Sequence, residues 1–161
     1  MPAYLPIDEA HPTEPQEAYA LSKQVTEQIV GAATRRSDLT AVSLRMPWIQ
    51  TPETFAADVA PRRADPAIAD RNLWAYIDAR DAAELFLAAL ERPVEGHAAV
   101  YVGALDTFMD EDTPTLIRRA YGEIELRAPL DGHRSVIDTS AADRLLDARA
   151  ERSWRRYPEA S

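Results

Sequence analysis

Cysteine is absent from the 161 residues, which excludes disulfides, thiolate catalysis and cysteine-based zinc sites. Basic charge is scarce: 18 Lys and Arg stand against 27 Asp and Glu, a formal charge of −9. That balance excludes a nucleic-acid partner, because a polyanion needs a basic footprint. No apolar run approaches the roughly 18 residues of a membrane helix, so no membrane partner is expected. The start, Met1-Pro-Ala-Tyr-Leu-Pro-Ile-Asp-Glu9, has no basic n-region and no apolar h-region. It predicts no signal peptide and a cytoplasmic location. Lysine is nearly missing as well: Lys23 stands alone beside seventeen arginines. A GC-rich genome produces that bias and carries no function with it, but the position of the one lysine matters below.

What is present suits one folded domain. Hydrophobic residues make up 46% and charged residues 28%, too apolar for a disordered chain. Residues 1–15 hold Pro2, Pro6, Pro12 and Pro15 and read as an extended loop. Ala18, Leu21, Val25, Ile29 and Ala32 recur at helical steps and predict a helix over Gln16–Arg36. Thr40–Met46, with Val42, Leu44 and Met46 on one face, predicts a strand that stops at Pro47. Prolines punctuate residues 47–72, where a short helix over Glu53–Val59 fits. Leu73–Ile77 predicts a strand, followed by a helix over Arg80–Glu91 capped by Asp78 or Asp81. Ala98–Val102 is a further strand. A helix over Thr113–Tyr121 ends before Gly122, a short strand fits Ile124–Leu126, and Asp138-Thr-Ser140 precedes a last helix that runs to Leu146. Strand and helix alternate, which is the α/β class. Two or three convincing strands, apolar enough for burial on both faces, do not fill an open sheet. The sequence reads as the second half of a larger α/β protein.

The lone lysine closes Tyr19-Ala-Leu-Ser-Lys23 at the start of the first helix. A four-residue step puts both side chains on one helix face. A neighbouring ammonium favours phenolate over phenol, which makes a tyrosine usable as a general acid/base near neutral pH. The competing reading is an exposed lysine beside a packing tyrosine.

The flanks bear on that choice. Leu5-Pro-Ile-Asp-Glu9, His11-Pro12, Pro15, Tyr19-Ala-Leu-Ser-Lys23 and Glu27 resemble the active-site segment of the extended short-chain dehydrogenases/reductases, the NAD-dependent epimerase/dehydratase family. Val42-Ser-Leu-Arg-Met-Pro47 is similar to that family's Leu-Arg-x-Pro strand end. Trp74-Ala-Tyr-Ile-Asp-Ala-Arg-Asp81 resembles its Tyr-x-Asp-x-x-Asp segment, and Tyr101-Val-Gly103 its next strand. Ser140–Leu146 through Trp154 resembles its C-terminal helix and tail. The resemblance implies the C-terminal part of a Rossmann-type fold: residues 1–49 with the Tyr-x-x-x-Lys helix and following strand, and 50–161 as the substrate-binding region with the last sheet strand and C-terminal helix. It implies Tyr19 and Lys23 as catalytic residues, with Lys23 also on the nicotinamide ribose. Met46, Pro47, Trp48 and Ile49 would lie beside the nicotinamide of NAD or NADP, and 50–72 would wall the pocket.

Three departures qualify the match. The five glycines, Gly31, Gly96, Gly103, Gly122 and Gly132, nowhere form Gly-x-x-Gly-x-x-Gly, the turn that brings backbone to a pyrophosphate. The family's catalytic Ser or Thr and first five strands would precede residue 1. Leu146-Asp-Ala-Arg-Ala150 lacks the family's glycine after the last helix. Gln50-Thr51-Pro52 also lacks the Asn and Gly of many nucleotide-sugar members, which leans the expectation towards a simple sugar or sugar acid.

The expected function is the catalytic and substrate-side part of an NAD(P)-dependent sugar dehydrogenase or epimerase. Its partners would be a small-molecule sugar and an N-terminal half-chain or a second copy in a homo-oligomer. The alternative is a non-catalytic remnant that binds or dimerises. Other candidates are weaker. His11, His97 and His133 are too scattered for a metal site. Asp78 and Asp81 suit a cap and a salt bridge to Arg80 or Arg45 as well as a carboxylate pair. Arg62-Arg63 fits either a solvated pair or a fork for a substrate phosphate or carboxylate. The Arg80–Glu91 helix is expected to face the core.

Overall fold

The computed structural model describes residues 1–59, 62–63, 65 and 72–157. Parts of the 47–72 stretch, at 60–61, 64 and 66–71, lie outside the described residues.

The chain runs β1 (Tyr4–Leu5), α1 (Ala18–Arg35), β2 (Ala41–Arg45), β3 (Trp48–Gln50) and α2 (Pro52–Thr54), with a π-helical turn at Phe55–Val59. It continues with β4 (Tyr76–Asp78), α3 (Ala79–Glu91), β5 (His97–Tyr101), α4 (Thr113–Tyr121), β6 (Glu125–Leu126) and α5 (Ser140–Leu146). A 3-10 turn at Trp154–Arg156 follows. Among the described residues the strand pairs are parallel: β2 with β5, β3 with β4, and β1 with β6. This is the expected α/β class with parallel strands.

The polar residues at element ends explain where helices start and stop. Glu17 caps α1 by accepting from the Ala20 amide at 3.0 Å. Asp78 caps α3 through the Arg80 amide at 2.8 Å. Gly122 ends α4 at φ 64°, and Asp147 takes the left-handed stop at φ 50° where the family has glycine.

Val42 and Leu44 of β2 pack with Val100, Val102 and Ile77 against Ala82 and Leu85 of α3 and Ala142 and Leu146 of α5. The other face of this sheet carries Ser43 and Arg45 towards α1. A second core gathers Leu5, Phe55, Trp74, Tyr76, Phe108, Met109, Leu116 and Val136. The tail is fastened to β4 and α3. Tyr76 donates its hydroxyl proton to Asp106 at 2.8 Å and accepts from the Trp154 amide at 2.8 Å. Phe55 stacks on Trp154 with centroids 5.2 Å apart.

Three sequence expectations need correction. Tyr4–Leu5 inside the proline-rich start forms a strand, because Glu125–Leu126 offers it a parallel partner. The 73–77 strand begins only at Tyr76: Leu73 and Trp74 sit at φ 61° and 53°, held there because the Trp74 side chain is fully buried. β2 is half-buried rather than buried on both faces. The apolar stripe of α1 points outward, with Leu21, Val25 and Ile29 50%, 45% and 63% exposed. Its sheet-facing side carries Gln24, Glu27 and the buried Gly31 and Thr34 instead. Helix α3 faces the core as expected, through Ala82, Leu85, Ala88 and Ala89, and leaves Phe86, Leu87 and Leu90 exposed on its outer side.

Candidate active site

Between α1 and the adjoining strands lies an open cleft of about 1470 Å³. Tyr19, Lys23, Met46, Pro47, Trp48 and Ile49 all line it. The six residues named from sequence therefore meet in one place, drawn from α1, the β2 end and β3. The four-residue step sets Lys23 Nζ over the Tyr19 ring, 5.1 Å from its centroid. Tyr19 is 67% exposed, so its phenol is open to the cleft and solvent. Asn72, Leu73 and Ile137 add to the lining.

Two anchors hold α1 in register with the sheet. Arg45 donates through Nε and Nη2 to the two carboxylate oxygens of Glu27, at 2.8 and 2.7 Å. Its guanidinium also lies over Tyr101, 5.0 Å from the ring centroid. The Arg45 hydrogen bond, opposed by burial, holds Glu27 below the usual carboxylate range. The same bond raises Arg45 further above its own. The second anchor is Gln24, whose Nε2 donates to Thr13 Oγ1 at 2.8 Å and ties the proline-rich loop to the helix. Glu9 accepts from the Tyr101 amide at 2.7 Å, which fixes that loop against β5. At Gly103 a Cβ would meet Pro47 Cγ at 3.4 Å and the Tyr76 carbonyl at 3.6 Å. A side chain of alanine size would fit there in ordinary contact.

The carboxylates weighed from sequence are structural. Asp78 takes Arg80 side-on at 2.9 and 2.7 Å and accepts from the Tyr157 hydroxyl at 2.7 Å. Burial pushes its carboxyl up, but these bonds outweigh that and leave it at about 2. Asp81 is not a cap. It is fully buried and accepts from the Glu151 and Arg152 amides at 3.1 and 2.8 Å and from the Arg152 guanidinium. Arg45 bonds Glu27 rather than either aspartate. His97 bonds Ser43 at 2.8 Å, His11 bonds the Pro12 carbonyl, and His133 bonds that of Glu111. Among the described residues no cluster of three or more suits a metal. Arg62-Arg63 splits: Arg63 pairs with Asp110 and stacks on Trp154 at 4.0 Å, while Arg62 lies over Trp48 at 5.1 Å. Sequence reasoning missed the Glu27–Arg45 and Ser43–His97 pairs, since nothing local links positions 18 and 54 residues apart.

The NAD dependent epimerase/dehydratase family model matches residues 2–103, well over half of the chain. The chain belongs to that family. No curated protein matches the sequence significantly. Among solved structures, a short-chain dehydrogenase/reductase superfamily protein from Agrobacterium tumefaciens with bound NAD has 21% identity and a TM-score of 0.68. It is covered over 98% of this chain and 60% of its own. UDP-glucose 4-epimerase from Bifidobacterium longum, in complex with NAD+ and UDP, has 20% identity and a TM-score of 0.61, over 97% and 57%. A UDP-galactose 4-epimerase has 19% identity and a TM-score of 0.59, over 92% and 52%. At these identities the likeness is one of fold, that of an extended short-chain dehydrogenase/reductase. The chain spans little more than half the length of these structures. Among the described residues no helix is long and apolar enough to cross a membrane.

Proposed function

We propose that this chain is the catalytic and substrate-side portion of an NAD(P)-dependent sugar or nucleotide-sugar dehydrogenase or epimerase. The observation that carries the reading is the convergence of Tyr19, Lys23 and Met46–Ile49 on one cleft. Its residues suit the nicotinamide-riboside end of the cofactor: an ammonium for ribose hydroxyls and the backbone after β2 beside the ring. They do not suit the pyrophosphate end, since no glycine-rich turn occurs in the 161 residues. The pyrophosphate site therefore has to come from polypeptide beyond those residues. When bound, the cofactor supplies the hydride acceptor or donor.

The chain's own task is the proton. Tyr19, exposed in the cleft, takes the proton from a substrate hydroxyl or returns it to a carbonyl oxygen. Lys23 lies over the Tyr19 ring on the same helix face, beside the group that exchanges the proton. Glu27 and Arg45 act as positioning residues by fixing the helix that carries both. The test is to combine the chain with a dinucleotide-binding half of the family and follow NADH formation across a panel of sugars. Tyr19→Phe should abolish turnover; full activity in that variant would remove Tyr19 from the mechanism.

The outward stripe Leu21, Val25 and Ile29 favours a second reading, a binding or dimerisation module without catalysis. A chain that associates through α1 yet stays inactive with every dinucleotide-binding half would support it.

A further inference from the structure

The geometry points to Trp154 as a positioning residue for the substrate side of the Tyr19 cleft: its indole pins Arg63, and Arg62 beside it holds Trp48 in the cleft wall. This rests on the reading of the cleft as a sugar site. Trp154 does not itself line the cleft. It is fixed to the core at two points. Its amide donates to the Tyr76 hydroxyl oxygen at 2.8 Å, and its Nε1 donates to the Thr107 carbonyl at 3.0 Å. Tyr76 and Thr107 are both fully buried, so the indole has a rigid seat. Phe55 stacks on that indole with centroids 5.2 Å apart and planes 16° from parallel. The Arg63 guanidinium lies over the same ring, with Cζ 4.0 Å from its centroid. Phe55 and Arg63, eight residues apart, are thus set by one ring. Arg63 also pairs with Asp110, but that carboxylate is 64% exposed. An ion pair so open to water is a weak hold, which leaves the indole as the stronger one.

Arg62 carries that hold to the cleft. Its guanidinium lies over the Trp48 indole, with Cζ 5.1 Å from the centroid, and its Nη1 donates to the Asp58 carbonyl. Trp48 lines the cleft together with Tyr19, Lys23 and Pro47. The backbone of Trp48 is fixed by its pairing with Tyr76 in β4. Its side chain meets the buried Phe108 edge-on, with centroids 6.5 Å apart at 75°, and Arg62 from above the ring. Removing the indole at 154 releases Arg63, and with it the cation that rests on Trp48. Tyr19 and Lys23 sit on α1, away from this chain of contacts. The loss therefore falls on how the cleft holds its ligand in ground and transition state alike, which raises KM and leaves kcat in place.

The experiment compares the native chain with Trp154→Ala and Trp154→Phe in two ways. In the chain by itself, trypsin should cut after Arg62 and Arg63 at least tenfold faster in Trp154→Ala, and the indole N–H resonance of Trp48 should shift. Trp154→Phe keeps a ring face and should stay within about twofold of native. Where Trp154→Ala does not fold, Trp154→Leu takes its place, with an apolar side chain and no ring. Unchanged cleavage with an unmoved Trp48 resonance in a folded variant overturns the clamp. In the chain joined to a dinucleotide-binding half of the family, Trp154→Ala should raise KM for the sugar at least fivefold, with kcat and the KM for NAD within twofold. Trp154→Phe should restore the sugar KM. A fall in kcat alone is the mark of less folded enzyme and overturns the positioning role, as does a rise confined to the KM for NAD. Absence of turnover of any sugar by the native joined chain overturns the sugar reading, and the cleavage and resonance results then decide the clamp by themselves.

Discussion

At the residue scale the chain shows which of its charges are structural. Glu27 and Arg45 are each about three-quarters buried and matched oxygen for nitrogen, so removing one partner strands the other. Glu27→Gln should cost about 1–3 kcal/mol, discounted from a fully buried pair because both groups keep some contact with water. Urea unfolding checks this, and a loss in the predicted range should come with weaker order at Tyr19. Asp78 makes a pH prediction. Its folded value of about 2 lies below the ordinary 3.8, so its contribution is complete above about pH 4 and is lost as pH falls towards 2. Asp78→Asn should flatten the acid limb of stability in that window and leave the limb above pH 7 unchanged. The pairing of Tyr19 with Lys23 was legible from a four-residue step alone. The partner of Arg45 was not, because a bidentate contact between α1 and β2 depends on how the helix lies on the sheet.

Helices and strands followed local rules wherever the rule was local. The ends of α3 and α4 are marked by Asp78, Pro93 and Gly122, all visible in sequence. The orientation of α1 was not visible. Periodicity shows that a helix has an apolar face, but only its neighbours determine whether that face is buried. Here Glu27 and Gln24 bind it to the sheet and loop and turn Leu21, Val25 and Ile29 outward. Leu73 and Trp74 read as strand because their side chains favour it, yet burying the indole imposes a left-handed turn. The tail depends on Asp81, seventy residues from the amides it accepts. Asp81→Ala leaves the Glu151 and Arg152 amides without their acceptor and frees the Arg152 guanidinium from all but Glu84. We expect a loss of at least about 1–3 kcal/mol and early proteolysis in residues 151–157. Stability within about 0.5 kcal/mol of native would show that the tail is held by its aromatic contacts alone.

For the whole molecule, three short parallel pairs and an outward apolar helix face leave much association-prone surface. β2 pairs with β5 on one side, and no strand is hydrogen-bonded to its other edge among the described residues. Unpaired edges and apolar faces favour association. The chain by itself should sediment as an oligomer or aggregate at low salt, and Leu21→Glu with Ile29→Glu should shift it towards monomer. A cooperatively melting native monomer would contradict this. Cofactor affinity is the second property at this scale. Lys23 and the backbone near Pro47 offer two or three hydrogen bonds of roughly 0.5–1.5 kcal/mol each, against an association cost of at least about 4 kcal/mol. Calorimetry with NAD+ or NADH should find a dissociation constant no tighter than about millimolar. Micromolar binding would mean that these 161 residues hold a cofactor site of another kind.

The most direct measurement is single-turnover NADH formation from a bound sugar, by this chain joined to a dinucleotide-binding half, compared between the native chain and Tyr19→Phe. General acid/base catalysis contributes on the order of 10²–10⁴ in rate. A fall of that size in Tyr19→Phe, with sugar affinity preserved, is the predicted result. An unchanged rate would contradict the assignment of this cleft as the catalytic one.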